Sequence, residues 1–202
     1  MPVERFVDDP AAAAASIASG GRLLRHSVVM QLELALAPAP LVIDAFSIAP
    51  MSADRVIEYG GVVSRAYPPN HLDHEPTDAD PESAARSVLG VMRGEAMGPW
   101  IAGASLHVAD HSGRVVGLVL ITETTAVGTI GAGPFVTDLC VDPAAAGQRL
   151  GAALLASCAA RLTELGWSAL ALVVTVGNPA QRVYERLGFR VASESWRIEA
   201  SR

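Results

Sequence analysis

The chain has 202 residues, half of them hydrophobic, with 18% charged and a formal net charge of −6. That length suits one well-buried domain, and the composition is that of a globular rather than a disordered chain. The acidic balance speaks against nucleic acid as a partner and leaves a cationic acceptor, such as an amine, electrostatically reasonable.

The elements follow in chain order. Asp9-Pro10 before Ala11 to Ala15 reads as an N-cap, a first-turn proline and a short helix that Gly20-Gly21 ends. Ser27 to Leu36 reads as a half-buried strand, because its even-numbered side is apolar. Residues 1–40 read as an N-terminal extension packed on or preceding a core domain, 41–202. Leu41 to Ile48 is a second strand. Ser52 is placed to cap a helix toward Ala66, which Gly60-Gly61 weakens. Asn70 to Asp80 is a polar loop with His71, Asp73, His74, Glu75, Asp78 and Asp80. Its His spacing is not that of a helical zinc pair and Pro76 interrupts it, so no metal site is expected.

Asp80-Pro81 starts another helix, which Gly94 to Gly98 closes. Ser105 to Ala109 and Arg114 to Thr122 form a hairpin about Asp110-His111-Ser112-Gly113. A glycine-bearing loop, Gly128 to Gly133, precedes a strand ending at Val141-Asp142-Pro143. Gly147-Gln148-Arg149-Leu150-Gly151 then opens a long apolar-faced helix. Ala169 to Val176 is a strand, Asn178-Pro179 to Gly188 a helix, and Arg190 to Ile198 a last strand. A β-meander followed by strand, helix, strand and helix is an α/β pattern.

Other features bound location and chemistry. The apolar run from Leu32 to Ile48 is broken by Glu33, Pro38, Pro40 and Asp44, so it is not a spanning helix. The N-terminus lacks a basic region followed by an apolar stretch, so no signal peptide is expected. Cys140 and Cys158 fall in buried elements, which suits core packing in a reducing cytoplasm. The chain has no lysine, a sign of composition bias.

A strand, a glycine loop and a helix start form a physical recipe for holding phosphate. Backbone N–H groups there have no intrahelical acceptor, and the helix dipole favours an anion. Gly147, Gln148, Arg149, Leu150, Gly151 and Ala152 are the residues concerned. Asn178, Ala180, Tyr184, Gly188 and Phe189 form a second motif, with Ala180 and Tyr184 on one helix face.

These two motifs, in this order and separation, resemble the GNAT superfamily of acetyl-coenzyme A-dependent N-acetyltransferases. Gly147 and Gly151 fit the family loop. Ala146 stands where the family has Arg or Gln, and Arg149 where it has a middle Gly. The Asn178–Phe189 motif matches without a gap, and the resemblance covers about the last third of the chain.

It implies a GNAT-like three-layer α/β fold, with a central, mostly antiparallel mixed sheet and helices on both faces. It also implies acetyl-CoA as co-substrate, its pyrophosphate held by residues 147–152 and its pantetheine arm by Asn178. Strand backbone at Leu139, Cys140 and Val141 would meet the pantetheine and thioester, where an N–H stabilises a developing oxyanion. Tyr184, also counted with the coenzyme contacts, would protonate the leaving thiolate.

The acceptor would be a small-molecule or peptide amine that attacks the thioester directly in a ternary complex. Asp138 or Glu123 would take its proton, directly or through water. A homodimer is compatible with the resemblance, and no membrane partner is implied. Two other readings stay open: a non-catalytic acyl-CoA sensor with a GNAT-like fold, and an interaction domain whose glycine loop binds nothing.

Overall fold

The computed structural model describes residues 4–125 and 130–200. The expected Gly128–Gly133 loop therefore lies partly outside the described residues. The strands are β1 Glu4–Val7, β2 Arg22–Glu33, β3 Phe46–Pro50, β4 Leu106–Asp110, β5 Val115–Thr124, β6 Gly133–Val141, β7 Ala169–Thr175 and β8 Arg190–Glu199. The helices are α1 Pro10–Ala18, α2 Val56–Ala66, α3 Pro81–Met92, α4 Leu150–Glu164 and α5 Gln181–Arg186. All strands join one sheet in the order β1-β8-β2-β7-β6-β5-β4-β3. Only β6 and β7 pair in parallel.

Two helix layers cover the sheet, as the three-layer reading expects. On one face α4 packs Leu150, Leu154, Leu155, Cys158 and Leu162 against Val28, Met30, Leu32, Leu170 and Leu172. On the other, α2 and α3 pack Tyr59, Val62, Val63, Val88 and Val91 against Leu118, Leu120 and Cys140. Burial on both faces explains why β5 reads as a continuous apolar run rather than an alternation. Gly60 lets α2 and α3 cross closely. A Cβ there would lie 2.4 Å from the Pro81 carbonyl and 2.5 Å from the Ala85 nitrogen, inside van der Waals contact.

The N-terminal segment supplies an edge strand, β1, and an inner strand, β2. β2 lies between β7 and β8, antiparallel to both, although β7 and β8 follow one another near the C-terminus. Its even-numbered Val28, Met30 and Leu32 are buried as the alternation predicts, and Val29 is fully buried on the opposite face. α1 begins as read, with the Asp9 carboxylate accepting from Ala12 N–H at 2.8 Å, and packs beside Trp196 and Ile198.

Two local expectations are corrected. The second strand begins at Phe46 rather than Leu41, with prolines 38 and 40 and a turn at residues 44–45 before it. Ser52 does not cap a helix through its side chain: its hydroxyl bonds to Asp54, and its N–H donates to Tyr59 Oη at 3.0 Å. A 3-10 turn at Ala53–Arg55 intervenes before α2.

Candidate functional site

The loop expected to hold phosphate is built from the end of β6. Asp142, with its side chain buried, accepts from Ala144 N–H at 3.0 Å and from Arg65 Nε at 2.9 Å, which pins the turn after the strand. The chain then passes Gly147, at φ +80°, and Arg149, at φ +61°. A left-handed conformation costs a non-glycine residue roughly 1–2 kcal/mol, so Arg149 sits where a glycine would be unstrained. The first intrahelical bond of α4 runs from Ala153 N–H to Arg149 C=O, at 3.0 Å. The N–H groups of Leu150, Gly151 and Ala152 therefore have no acceptor within the helix. No acidic residue lies in the first turn of α4, and space is open beside Gly147. The residues fit an incoming phosphate.

β6 and β7 meet in parallel only at Phe135 and Ala171 and then part. Beyond that point the other edge of β6 remains paired with β5, Leu139 with Val119, Cys140 with Leu118 and Val141 with Gly117. The two strands are thus splayed beside Leu139 to Val141. The Cys140 side chain is buried against the α2–α3 layer, where burial pushes its thiol well up; its backbone alone faces the splay.

Where the strands part, a cleft of about 590 Å³ opens on the α2–α3 face. Asp138, Leu139, Asn178 and Tyr184 line it together with Tyr67, Asp73 and Asp78. A bulge in β6 aims Asp138 into it. Leu120 pairs with Asp138 but Ile121 with Val136, so one extra residue, Thr137, interrupts the period of two. Val136 packs with the α4 layer; without the bulge Asp138 would face that way too.

Burial pushes the Asp138 carboxyl up to about 6; the Tyr67 hydroxyl pulls it back, and the charges of Asp78 and Asp73 push it further up. Tyr67 Oη donates to Asp138 Oδ1 at 2.8 Å, with the Leu139 carbonyl as a second acceptor at 3.1 Å. Burial drives the Tyr67 phenol far upward as well, so it remains a donor. Removing that donor has a predictable kinetic signature. If Asp138 acts as a base, Tyr67→Phe should move the acid limb of the kcat/KM profile to higher pH. An unmoved limb would detach Tyr67 from the base.

Asn178 does not cap α5, which starts at Gln181 with Ala180 before it and no side-chain cap; its Oδ1 instead accepts from Ala180 N–H at 2.9 Å and closes the turn that leads into the helix. Its amide donates to Asp73, which also accepts from the Thr175 hydroxyl. The α2–α3 loop is thereby tied to the end of β7. Gly188, at φ +98°, ends α5, with Phe189 N–H bonding back to Tyr184 C=O at 3.0 Å. Tyr184 is held on the cleft wall beside Phe189, ring centroids 6.0 Å apart. Burial, then the charges of Asp73 and Asp138, push its phenol up, so it keeps its proton at neutral pH.

Glu123 is not brought to this cleft. It is exposed near the end of β5, opposite Pro134, with its N–H bonded to Pro99 C=O at 2.8 Å. The loop histidines serve local structure: His71 Nδ1 accepts from Asp73 N–H, and His74 Nδ1 bonds to Tyr67 C=O. Among the described residues no group of three or more His, Cys, Asp or Glu is placed to hold a metal, and no helix is long and apolar enough to cross a membrane. Sequence reasoning missed Tyr67. Its only signal was an aromatic at the end of α2, next to two prolines.

No curated protein matches the chain significantly. Solved structures match its fold. It is similar to a GCN5-related N-acetyltransferase from Sphaerobacter thermophilus, with a TM-score of 0.73 and 19% identity over 98% of this chain. The chain spans 59% of that protein's length. A GCN5-related N-acetyltransferase from Kribbella flavida gives a TM-score of 0.64 at 15% identity, covering all of this chain and 69% of that one. A tandem GNAT protein from the clavulanic acid biosynthesis pathway gives 0.62 at 17% identity, over 96% of this chain and 60% of that one. These identities carry the fold alone. Residues 77–200, more than half of the chain, match the family model described as an acetyltransferase (GNAT) domain. With the splayed strands and the glycine loop opening α4, that match assigns the chain to the GNAT acetyltransferase family.

Proposed function

We propose that the protein is a cytoplasmic N-acetyltransferase that moves an acetyl group from acetyl-CoA to a small-molecule or peptide amine. One observation carries the reading: a desolvated carboxylate, Asp138, and a protonated phenol, Tyr184, line one cleft at the parting of β6 and β7. Acetyl-CoA supplies an activated acyl thioester. The backbone N–H groups of 147–152, joined by Arg149, would hold its pyrophosphate. Asn178 and the strand backbone of Leu139, Cys140 and Val141 would hold its pantetheine arm.

The acceptor amine arrives protonated. An amine of lysine-like pKa ~10.4 is less than about a thousandth neutral at pH 7, a handicap of roughly 4–5 kcal/mol. Asp138, ionised above about 6, takes its proton directly or through water. Nitrogen then attacks the thioester carbon, the carbon–sulfur bond breaks, the Tyr184 hydroxyl gives its proton to the departing sulfur, and the second proton leaving nitrogen passes through water to the Tyr184 phenolate. Release of the first proton from Asp138 to water restores the base. With Glu123 outside the cleft, Asp138 is the base in this reading. The sensor reading shares the coenzyme contacts but needs neither Asp138 nor Tyr184.

Calorimetry with coenzyme A tests the coenzyme half. A Cβ on Gly151 would meet only Val141 Cγ2, at 3.9 Å, and the backbone there is not left-handed. Gly151→Asp should therefore fold, while its carboxylate opposes a phosphate. A loss of affinity of tenfold or more, on the order of 1.4 kcal/mol, is expected, with little change in melting temperature. Unchanged affinity in the folded variant would remove the phosphate from this loop.

A further inference from the structure

We infer that the acceptor carries a carboxylate as well as its amine, and that Arg25 and Arg197 bind that carboxylate in the cleft wall. The inference rests on the amine-acceptor reading above. Arg25 of β2 stands directly opposite Arg197 of β8, and both line the cleft. Like charges opposite one another on neighbouring strands repel, so such a pair calls for an anion between them. One is present. Glu75 Oε1 lies 2.9 Å from Arg25 Nη2 and 3.1 Å from Arg197 Nη1. A single carboxylate oxygen bridging two guanidinium groups identifies the kind of ligand this wall takes.

Glu75 belongs to the α2–α3 loop rather than to the sheet, and its side chain is 38% exposed. It is an internal occupant that a ligand carboxylate can displace or join. Arg197 also pairs with Glu4 at 2.7 Å, but Glu4 is on β1 and does not line the cleft. Two cations thus meet two carboxylates, of which Glu75 is the one on the cleft wall and the one they share.

The rest of the lining is graded. One step along β2, Ser27 pairs with Ser195 on one side and Thr175 on the other, a row of hydroxyls. Beyond Thr175 come Asp73, hydrogen-bonded to it, and Asp138. The hydroxyl row stands two residues of strand, roughly 6.5 Å, along β2 from the arginines, and Asp138 lies farther off on β6, with β7 between it and β2. An acceptor with its ammonium at Asp138 and its carboxylate at the arginines therefore has a spacer between them. Amino acids with separated ends, and short peptides, meet this requirement.

The test is binding, read by calorimetry, of amino acids of increasing spacer length, each as free acid and as carboxamide. It does not depend on turnover. Absence of thiol release from acetyl-CoA with every amine would sink the acetyltransferase reading, whereas the acid-to-amide ratio decides this one. The free acid of the fitting length should bind roughly ten- to a hundredfold tighter than its amide. Arg25→Gln and Arg197→Gln should each remove that preference, and Arg22→Gln, whose partner is Glu199, should keep it. Glu75→Gln removes the internal competitor and should tighten acid binding several-fold. If the arginines only fasten the loop, Glu75→Gln would instead weaken acid and amide alike. That result, or no preference for any acid over its amide in the unaltered protein, overturns the proposal.

Discussion

Replacing Asp138 by Asn is expected to lower kcat by about a hundredfold to ten-thousandfold and, at the same time, to stabilise the fold at neutral pH. Burial raises the folded-state carboxyl to about 6, against an unfolded value of ~3.9. Between those values the folded state binds more protons than the unfolded state. Stability therefore falls as pH rises through this window, by at most about 3 kcal/mol in total. Asparagine does not titrate and still offers Tyr67 an acceptor. The variant's advantage should reach on the order of 1–3 kcal/mol at pH 8 and shrink toward pH 5. Thermal melts at the two pH values measure it. A variant less stable at both would show that the carboxylate serves the fold.

Tyr184→Phe isolates the second proton transfer. The ring stays packed beside Phe189, and no side-chain hydrogen bond of the protein is lost with the hydroxyl among those the structure shows. Coenzyme A affinity should be nearly unchanged. Loss of a general acid costs about a hundredfold to ten-thousandfold, so kcat should fall within that range when chemistry limits the rate. Retention of more than about half the wild-type turnover under those conditions would assign Tyr184 to packing, since a general acid's contribution is far larger.

The parts of the site that local chemistry dictates were legible in the sequence. The glycines about Arg149 mark a tight strand-to-helix turn. Asn178 and Pro179 mark the turn before α5 and Gly188 its end, signals that depend only on neighbouring residues, although the helix itself starts at Gln181. Alternation in β2 shows which residues face inward, but not which strands lie beside it. Its insertion between β7 and β8 joins Arg25 to Arg197 across nearly the whole chain, and no local pattern encodes such a pairing. That pairing makes the N-terminal segment a wall of the cleft.

The bulge at Thr137 was equally silent. A regular strand would place Asp138 on the side of Val136, and only the shift in register against β5 turns it into the cleft. Tyr67 and Glu123 differ for the same reason. Sequence places one at a helix end and the other at a strand end, while tertiary packing decides which of them reaches the splayed strands.

Release of free coenzyme A thiol from acetyl-CoA, measured against a chemically diverse panel of amines, tests the central claim most directly. The account predicts thiol release that depends on an amine, saturates in it, and yields the N-acetylated product in equal amount. Both Asp138→Asn and Tyr184→Phe should suppress it while still binding coenzyme A. Tight binding of acetyl-CoA with no release above the amine-free rate across the panel would contradict it, and would favour a sensor.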